Sequence, residues 1–415
     1  MEENIQYLLM LLDSVINDKR TPIPPKNIDW DKVWTAARAG EVATLLYNKV
    51  NQLHGEHRPH EEILNTIRYY AVQCGSMNLQ KYEKLYQVLE EGKKRKIPII
   101  VFKGPVLGEL YPEPMLRNSC DVDLYVKPEE LQKMEKLLQD MGFRKYEEHS
   151  KKYVPVYCFE NLLVIEAHCR LWEDYESKTI DKLERMNLQN PETLVHTTAC
   201  GLSVTTLGYE EHLVFLMFHL IKHISYNGCS LKTITDIVLY INNYIQYIQK
   251  KSFWKKMEDL GYDTFCRTLF SIGCRYFGLT KEIFQDDSYS ETMAEQMMEK
   301  MYGTYILKAD FGDEGERIAA SIAFQSYNHR EGKKVGKFRM IQKTLFPSAK
   351  DLSFRYMYAR QHTSLVWIAW IHRAFNQLGT RLIHKKEGQV NMVRNVKLAN
   401  QKLSLLREMK LMEKD

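Results

Sequence analysis

Residues 97–126 read IPIIVFKGPVLGELYPEPMLRNSCDVDLYV, and the run from Asp121 to Val126 decides the fold. Val122, Leu124 and Val126 alternate with Asp121, Asp123 and Tyr125, the period-2 pattern of a strand with one buried face. On such a strand the two carboxylates point the same way, roughly 6.5 to 7 Å apart along the backbone. Their oxygens can converge on Mg²⁺, a hard cation that prefers carboxylates and phosphate oxygens. A metal-dependent phosphoryl or nucleotidyl transfer site is the expectation.

Ahead of this strand, Pro98 to Phe102 reads as a short apolar strand that Gly104-Pro105 breaks. Val106 to Leu110 reads as a helical turn, followed by a Tyr-Pro-Glu-Pro loop. After it, Lys127-Pro128 opens a helix whose buried face is Leu131, Met134, Leu137, Leu138 and Met141, and Gly142 ends it. Two more strands, Lys152 to Phe159 and Leu162 to His168, are joined by a turn at Glu160-Asn161. In the second, Leu162, Val164, Glu166 and His168 share one face. An acid on an otherwise apolar face predicts a metal or cationic partner for Glu166, since burying it unpaired is costly.

The regions outside this core read as helical. Ile5, Leu8, Leu9, Leu12 and Ile16 form one stripe, a second helix follows a cap at Asp29 or Asp31, and a third runs over residues 61–93. The basic run at the end of that third helix suits the negative end of its dipole. From about residue 190 the chain turns helical again, with helices over Glu210 to Tyr226 and Leu231 to Ile248. The stretches 311–317 and 329–338 look like loops between helices, and SLVWIAWIHRAF, residues 364–375, reads as core. The expected divisions are a helical region at 1–95, a catalytic core at 96–190, a helical domain at 191–305 and a helical C-terminal region at 306–415.

Composition sets the outer bounds. The chain has 415 residues, 44% apolar and 27% charged, which is ordinary for a globular protein. A formal charge of +5 permits an anionic substrate without demanding nucleic acid. Its eight cysteines form no Cys-x-x-Cys pair, so neither zinc nor a disulfide framework is indicated. The first residues lack a signal peptide's basic start, and the apolar run Leu365 to Ile371 is too short to span a bilayer; the expected location is cytoplasmic.

FKGPVLGELYPEPMLRNSCDVDLYV resembles the motif of a nucleotidyltransferase family within the DNA-polymerase-β-like superfamily: apolar-Lys-Gly, Tyr-Pro, Arg, then Asp-x-Asp-apolar. VIEAHCRLW is similar to that family's acidic-x-His-x-Arg strand, and FHLIKHISYNGCSLKTITDIVLYI to its His-rich helix followed by a basic residue and an aspartate. The order matches over roughly residues 30–245. The resemblance implies an α+β fold: a small mixed sheet flanked by N-terminal helices and a mostly helical C-terminal part. It also implies that Asp121 and Asp123 are paired metal ligands, with Glu166 the third carboxylate, holding Mg²⁺ or Mn²⁺. The Lys103-Gly104 turn would face the triphosphate of an NTP. The wider superfamily often has Gly-Ser at that turn, whereas here Pro105 follows Gly104, so Lys103, the Gly104 amide or Arg117 would serve the phosphates.

Further candidates for a substrate or nucleotide wall are His168, His219, His223 and Asp236. Their plainer readings are a histidine satisfied by a backbone carbonyl, helix packing, and an i−4 pair between Asp236 and Lys232. Cys120, beside the Asp pair, reads as packing. The expected activity is transfer of a nucleoside monophosphate to a hydroxyl of a small molecule, sugar, peptide or protein. Two alternatives compete with it. One is a glycosyltransferase using Asp-x-Asp, which predicts a preceding series of strand–helix units. The other is a catalytically weakened nucleotide-binding or interaction module.

Overall fold

The strand that the alternation predicts is β2, Asp121–Val126, with Val122, Leu124 and Val126 fully buried. A computed structural model of the chain describes residues 1–119, 121–147, 150–151, 153–172, 178–226, 228–304 and 307, with shorter pieces at 346, 349, 356, 358–359, 362–372 and 392–411. Expectations for Cys120, 311–317 and 329–338 lie outside the described residues. The chain forms two compact units, Met1–Asp310 with Leu405–Leu411, and Phe311–Ser404 with Met412–Asp415.

In the first unit the N-terminal helices are α1 (Glu3–Ile16), α2 (Trp30–Ala39), α3 (Tyr47–Asn51) and the long α4 (Glu61–Lys94). Asp29 caps α2 by accepting from the Lys32 amide. Glu61 and Glu62 begin α4 and Lys93 and Lys94 close it, each sign complementing the helix dipole. No strand precedes residue 99 among the described residues, so the strand–helix series expected of a glycosyltransferase is missing there.

β1 (Ile99–Val101) leads through the Lys103-Gly104 turn into the single helical turn α5 (Pro105–Gly108). After β2 comes α6 (Leu131–Asp140), then β3 (Arg144–Lys145), β4 (Val156–Phe159) and β5 (Leu163–His168). These make a five-stranded sheet in the order β1-β2-β5-β4-β3. Only β2 and β5 run parallel, so the fold is α+β with a mixed sheet. Met134, Leu137 and Leu138 of α6, with Leu85, Val88 and Leu89 of α4, cover the Val122-Leu124-Val126 face. That leaves the opposite, carboxylate-bearing face for chemistry.

The expectation of helix from residue 190 onward is corrected by a hairpin. After α7 (Lys178–Arg185) come β6 (Val195–Ala199) and β7 (Leu202–Thr206), paired antiparallel through a two-residue turn. The turn residues Cys200 and Gly201 have φ of 50° and 79°, the left-handed pair that tight hairpins need. Ala199, Leu202 and Val204 join the core around Val101 and Val106, which gives this hairpin its reason to form. Helices then follow: α8 (Tyr209–Tyr226), α9 (Leu231–Tyr244), α10 (Lys250–Leu260), α11 (Asp263–Tyr276) and α12 (Glu291–Gly303).

In the second unit Tyr356, Ala359 and Ala369 form a small apolar cluster. Trp367 and Ile371 are exposed, which corrects the reading of 364–375 as core over its described residues, 364–372; residues 373–375 lie outside them. The buried Ala369 between them marks the one covered side of that segment. Among the described residues no helix is long and apolar enough to cross a membrane.

Candidate active site

The parallel register of β2 and β5 sets Asp123 beside Glu166, and Asp121 beside Val164. Because alternate residues share a face, Asp121, Asp123, Glu166 and His168 emerge together on the side away from α6. Ligand atoms of Asp123, Glu166 and His168 lie within 4.8 Å of one another. His168 Nε2 is 3.1 Å from Asp123 Oδ1 and 3.5 Å from Glu166 Oε2. Burial works against the charged imidazole, yet these two carboxylates hold its pKa above the ordinary value. A nitrogen that donates to carboxylates has no lone pair for a metal, so His168 orients the acids here.

Asp121 is half-buried, and burial together with the Asp123 charge raises its pKa. Asp123 behaves oppositely. Although it is buried, Lys103 and His168 hold its carboxyl well below the usual range. The Lys103 ammonium stands 2.7 Å from Asp123 Oδ2 and 3.4 Å from His219 Nε2. Burial disfavours that charge, but Asp123, Asp121 and Glu166 more than compensate and keep it cationic.

Gly104 explains how Lys103 gets there. Its φ of 62° with ψ of −114° is a backbone state that only glycine adopts easily, and the turn packs against Val122, whose Cγ2 would lie 3.4 Å from a Cβ there. The chain therefore reverses directly over β2 and delivers Lys103 onto the Asp pair. Upstream, His212 Nε2 donates to the Phe102 carbonyl at 2.6 Å and fixes the start of the turn. Full burial pushes the His212 pKa down to about 4, so it stays neutral. The tip of the β6–β7 hairpin holds the other side. The Cys200 amide donates to Glu109 Oε2 at 2.6 Å, and its thiol donates to the Pro105 carbonyl at 3.4 Å.

One face of α8 lines this region. His219 and His223 approach with Nε2 atoms 2.9 Å apart, and Phe215 stacks on the His219 ring while meeting the Phe102 ring edge-on. Burial, then the Lys103 charge, pushes His223 to about 4 and His219 well below its ordinary value. Both are neutral, and His219 meets the carboxylate cluster through Lys103.

Arg117 and Asp236 come together elsewhere. Arg117 Nε and Nη2 each donate to Asp236 at 2.7 Å, and the Tyr111 hydroxyl donates to the same carboxylate at 2.7 Å. Both partners are buried. The expected Asp236–Lys232 pair does not form, because Lys232 turns to Glu41. No described contact joins Arg117 or Asp236 to Asp121, Asp123 or Glu166.

Several residues the sequence reading passed over hold the loop before β2. Asn78 donates to the Met115 and Arg117 carbonyls at 2.8 and 3.0 Å, and Thr44 to the Leu116 carbonyl at 2.6 Å. The buried Lys81 donates to the Ser119 carbonyl. The only sequence signal was an Asn and a Lys three apart on the apolar side of α4, a spacing that puts both on one face.

No curated protein matches the chain. Two solved structures match in part. One is a solution structure of the antibiotic-resistance factor ANT(2'')-Ia, 14% identical, covering 47% of this chain and 95% of that one, with a TM-score of 0.33. The other is a crystal structure of ANT(2")-Ia in complex with adenylyl-2"-tobramycin, 13% identical, covering 42% and 94%, with a TM-score of 0.32. At these scores the likeness extends neither to that protein's substrate nor to its site. The family profile described as "Uncharacterised nucleotidyltransferase" matches residues 26–278, well over half of the chain. The chain belongs to that family and is an enzyme of the nucleotidyltransferase class.

Proposed function

We propose that the protein transfers a nucleoside monophosphate from an NTP to a hydroxyl-bearing acceptor, with Mg²⁺ or Mn²⁺ held by Asp121, Asp123 and Glu166. The observation that carries this reading is the Asp123–Glu166 register on adjacent parallel strands, with Asp121 two residues away on the same face. The donor set fits a hard divalent cation: it is rich in carboxylate oxygen, and His168 supports it with hydrogen bonds. Two such ions would stabilise the attacking and leaving oxygens of an in-line displacement.

The remaining roles follow from placement. Lys103 leaves Asp123 for the polyphosphate, and the Gly104 amide supports it, since Pro105 offers no hydroxyl. Glu166, half-buried and open to solvent, takes the proton of the acceptor hydroxyl. His219 and His223, both neutral, form the wall toward the nucleotide. Arg117 and Asp236 act by holding the loop ahead of β2. In this reading residues 96–190 are the catalytic core, and 191–305 close the nucleotide cleft. All seven described cysteines are free thiols, which supports a reducing, cytoplasmic setting.

The test is calorimetry with each of the four NTPs and Mg²⁺ or Mn²⁺, comparing wild type with Asp121→Asn/Asp123→Asn. Metal-dependent binding of an NTP that the double variant loses supports the reading and names the donor for an acceptor screen. If no NTP binds, the transfer reading fails.

A further inference from the structure

The helix α4 carries a feature that the transfer site does not use. Its outward face follows a 3-4 spacing: Glu62, Asn65, Tyr69, Val72, Ser76, Leu79, Glu83, Tyr86, Glu90 and Lys93. Within it, Tyr69, Val72, Leu79 and Tyr86 are 62%, 58%, 64% and 47% exposed. Four large apolar side chains in one stripe on a solvent face is a pattern that monomers rarely keep. A 3-4 spacing is that of a helix packed lengthwise against another helix.

Laid antiparallel on a second copy, the stripe matches itself at its charged ends and at its tyrosines. Inverting it about the midpoint between Met77 and Asn78 sets Glu62 against Lys93, Tyr69 against Tyr86 and Ser76 against Leu79. Glu83 falls opposite Val72, one turn from Arg68 of the other copy. The ends match in charge, with the acidic first turn of one helix over the basic last turn of the other. Near the midpoint the exposed Ser76 is small and falls opposite Leu79 of the other copy. Two helices can therefore approach closely where they cross. A second copy of the chain supplies both the opposite charge for each end and a tyrosine for each tyrosine.

We infer that α4 is a homodimer interface, in which two copies pair antiparallel about a two-fold axis midway between Ser76 and Leu79. A self-complementary patch of this kind generates a closed two-fold dimer. The contact runs about 46 Å, from Glu62 to Lys93, at 1.5 Å per residue. It lies on the face of α4 turned away from the sheet, so the two transfer sites stay open.

The test is sedimentation velocity on the full chain over a concentration series. Wild type is expected to form a reversible dimer, and Val72→Glu/Leu79→Glu to weaken it by about tenfold or more with unchanged far-UV circular dichroism. Glu62→Lys alone and Lys93→Glu alone each weaken the dimer several-fold, while a mixture of those two variants restores it as a heterodimer. A wild type that stays monomeric, or a dimer indifferent to Val72→Glu/Leu79→Glu, overturns the interface. Weakened single-charge variants that fail to rescue one another overturn the antiparallel register.

Discussion

The guanidinium of Arg117 and the carboxylate of Asp236, 119 residues apart, form a bidentate buried pair with both contacts at 2.7 Å. The pair ties α9 to the loop that leads into β2, so a contact remote from the carboxylates governs where Asp121 emerges. Removing one partner strands the other charge in an apolar setting, which typically costs about 3–5 kcal/mol. Asp236→Ala is expected to lose stability of that order in urea denaturation. The paired replacement Arg117→Met/Asp236→Leu recovers much of it, because neither charge is then left buried.

Asp121, in the proposed metal site, is held there against its own preference, since burial and Asp123 both disfavour its charge. Asp121→Asn is therefore expected to raise the thermal midpoint while lowering NTP turnover by about a hundredfold or more, the usual cost of removing a key electrostatic group. Differential scanning calorimetry and a pyrophosphate-release assay on one preparation check both halves. A lower midpoint would contradict the strain.

The Lys103 ammonium sits 2.7 Å from Asp123 Oδ2, so a metal bound there as proposed would have to compete with it. Lys103→Met is expected to tighten Mn²⁺ binding to the nucleotide-free protein and to weaken NTP binding. Calorimetric titration of Mn²⁺ alone, then of NTP, separates the two effects. Unchanged Mn²⁺ affinity would mean that the metal does not use that oxygen.

His212 makes stability pH-dependent in a defined window. Its pKa falls from 6.5 in the unfolded chain to about 4 when folded, so between these values the unfolded state binds the extra proton. Stability is full above pH 6.5 and declines as the pH drops toward 4. At 1.36 kcal/mol per pKa unit the loss is about 3 kcal/mol. His223, also held at about 4, adds a loss of the same sign. Urea midpoints across that range, compared with His212→Gln, should show a shallower decline in the variant.

Local pattern made much of the core readable. The alternation in DVDLYV gave β2 its buried and polar faces, and that in LVIEAH gave β5 its own, because a strand's faces depend only on the order of its residues. The β6–β7 hairpin also had a local signal, a β-branched run around Cys200-Gly201. It was overshadowed by the helical pattern on either side and by a turn without Asn or Asp. The clamps on the loop before β2 had almost none, since Asn78 and Lys81 look like ordinary helix residues until the carbonyls they satisfy are in place.

The sequence by itself determined which residues could share a face: the Asp pair, the Glu166 and His168 pair, and the histidines of α8. Tertiary structure alone decided which faces meet. It chose Arg117 over Lys232 for Asp236, put Lys103 on Asp123 through the Gly104 reversal, and set Asp123 beside Glu166. The physical reason is that hydrogen bonds and ion pairs act over a few ångströms, whereas these partners are 20 to 119 residues apart in the chain. Only the packing of sheet against helix brings them within that reach.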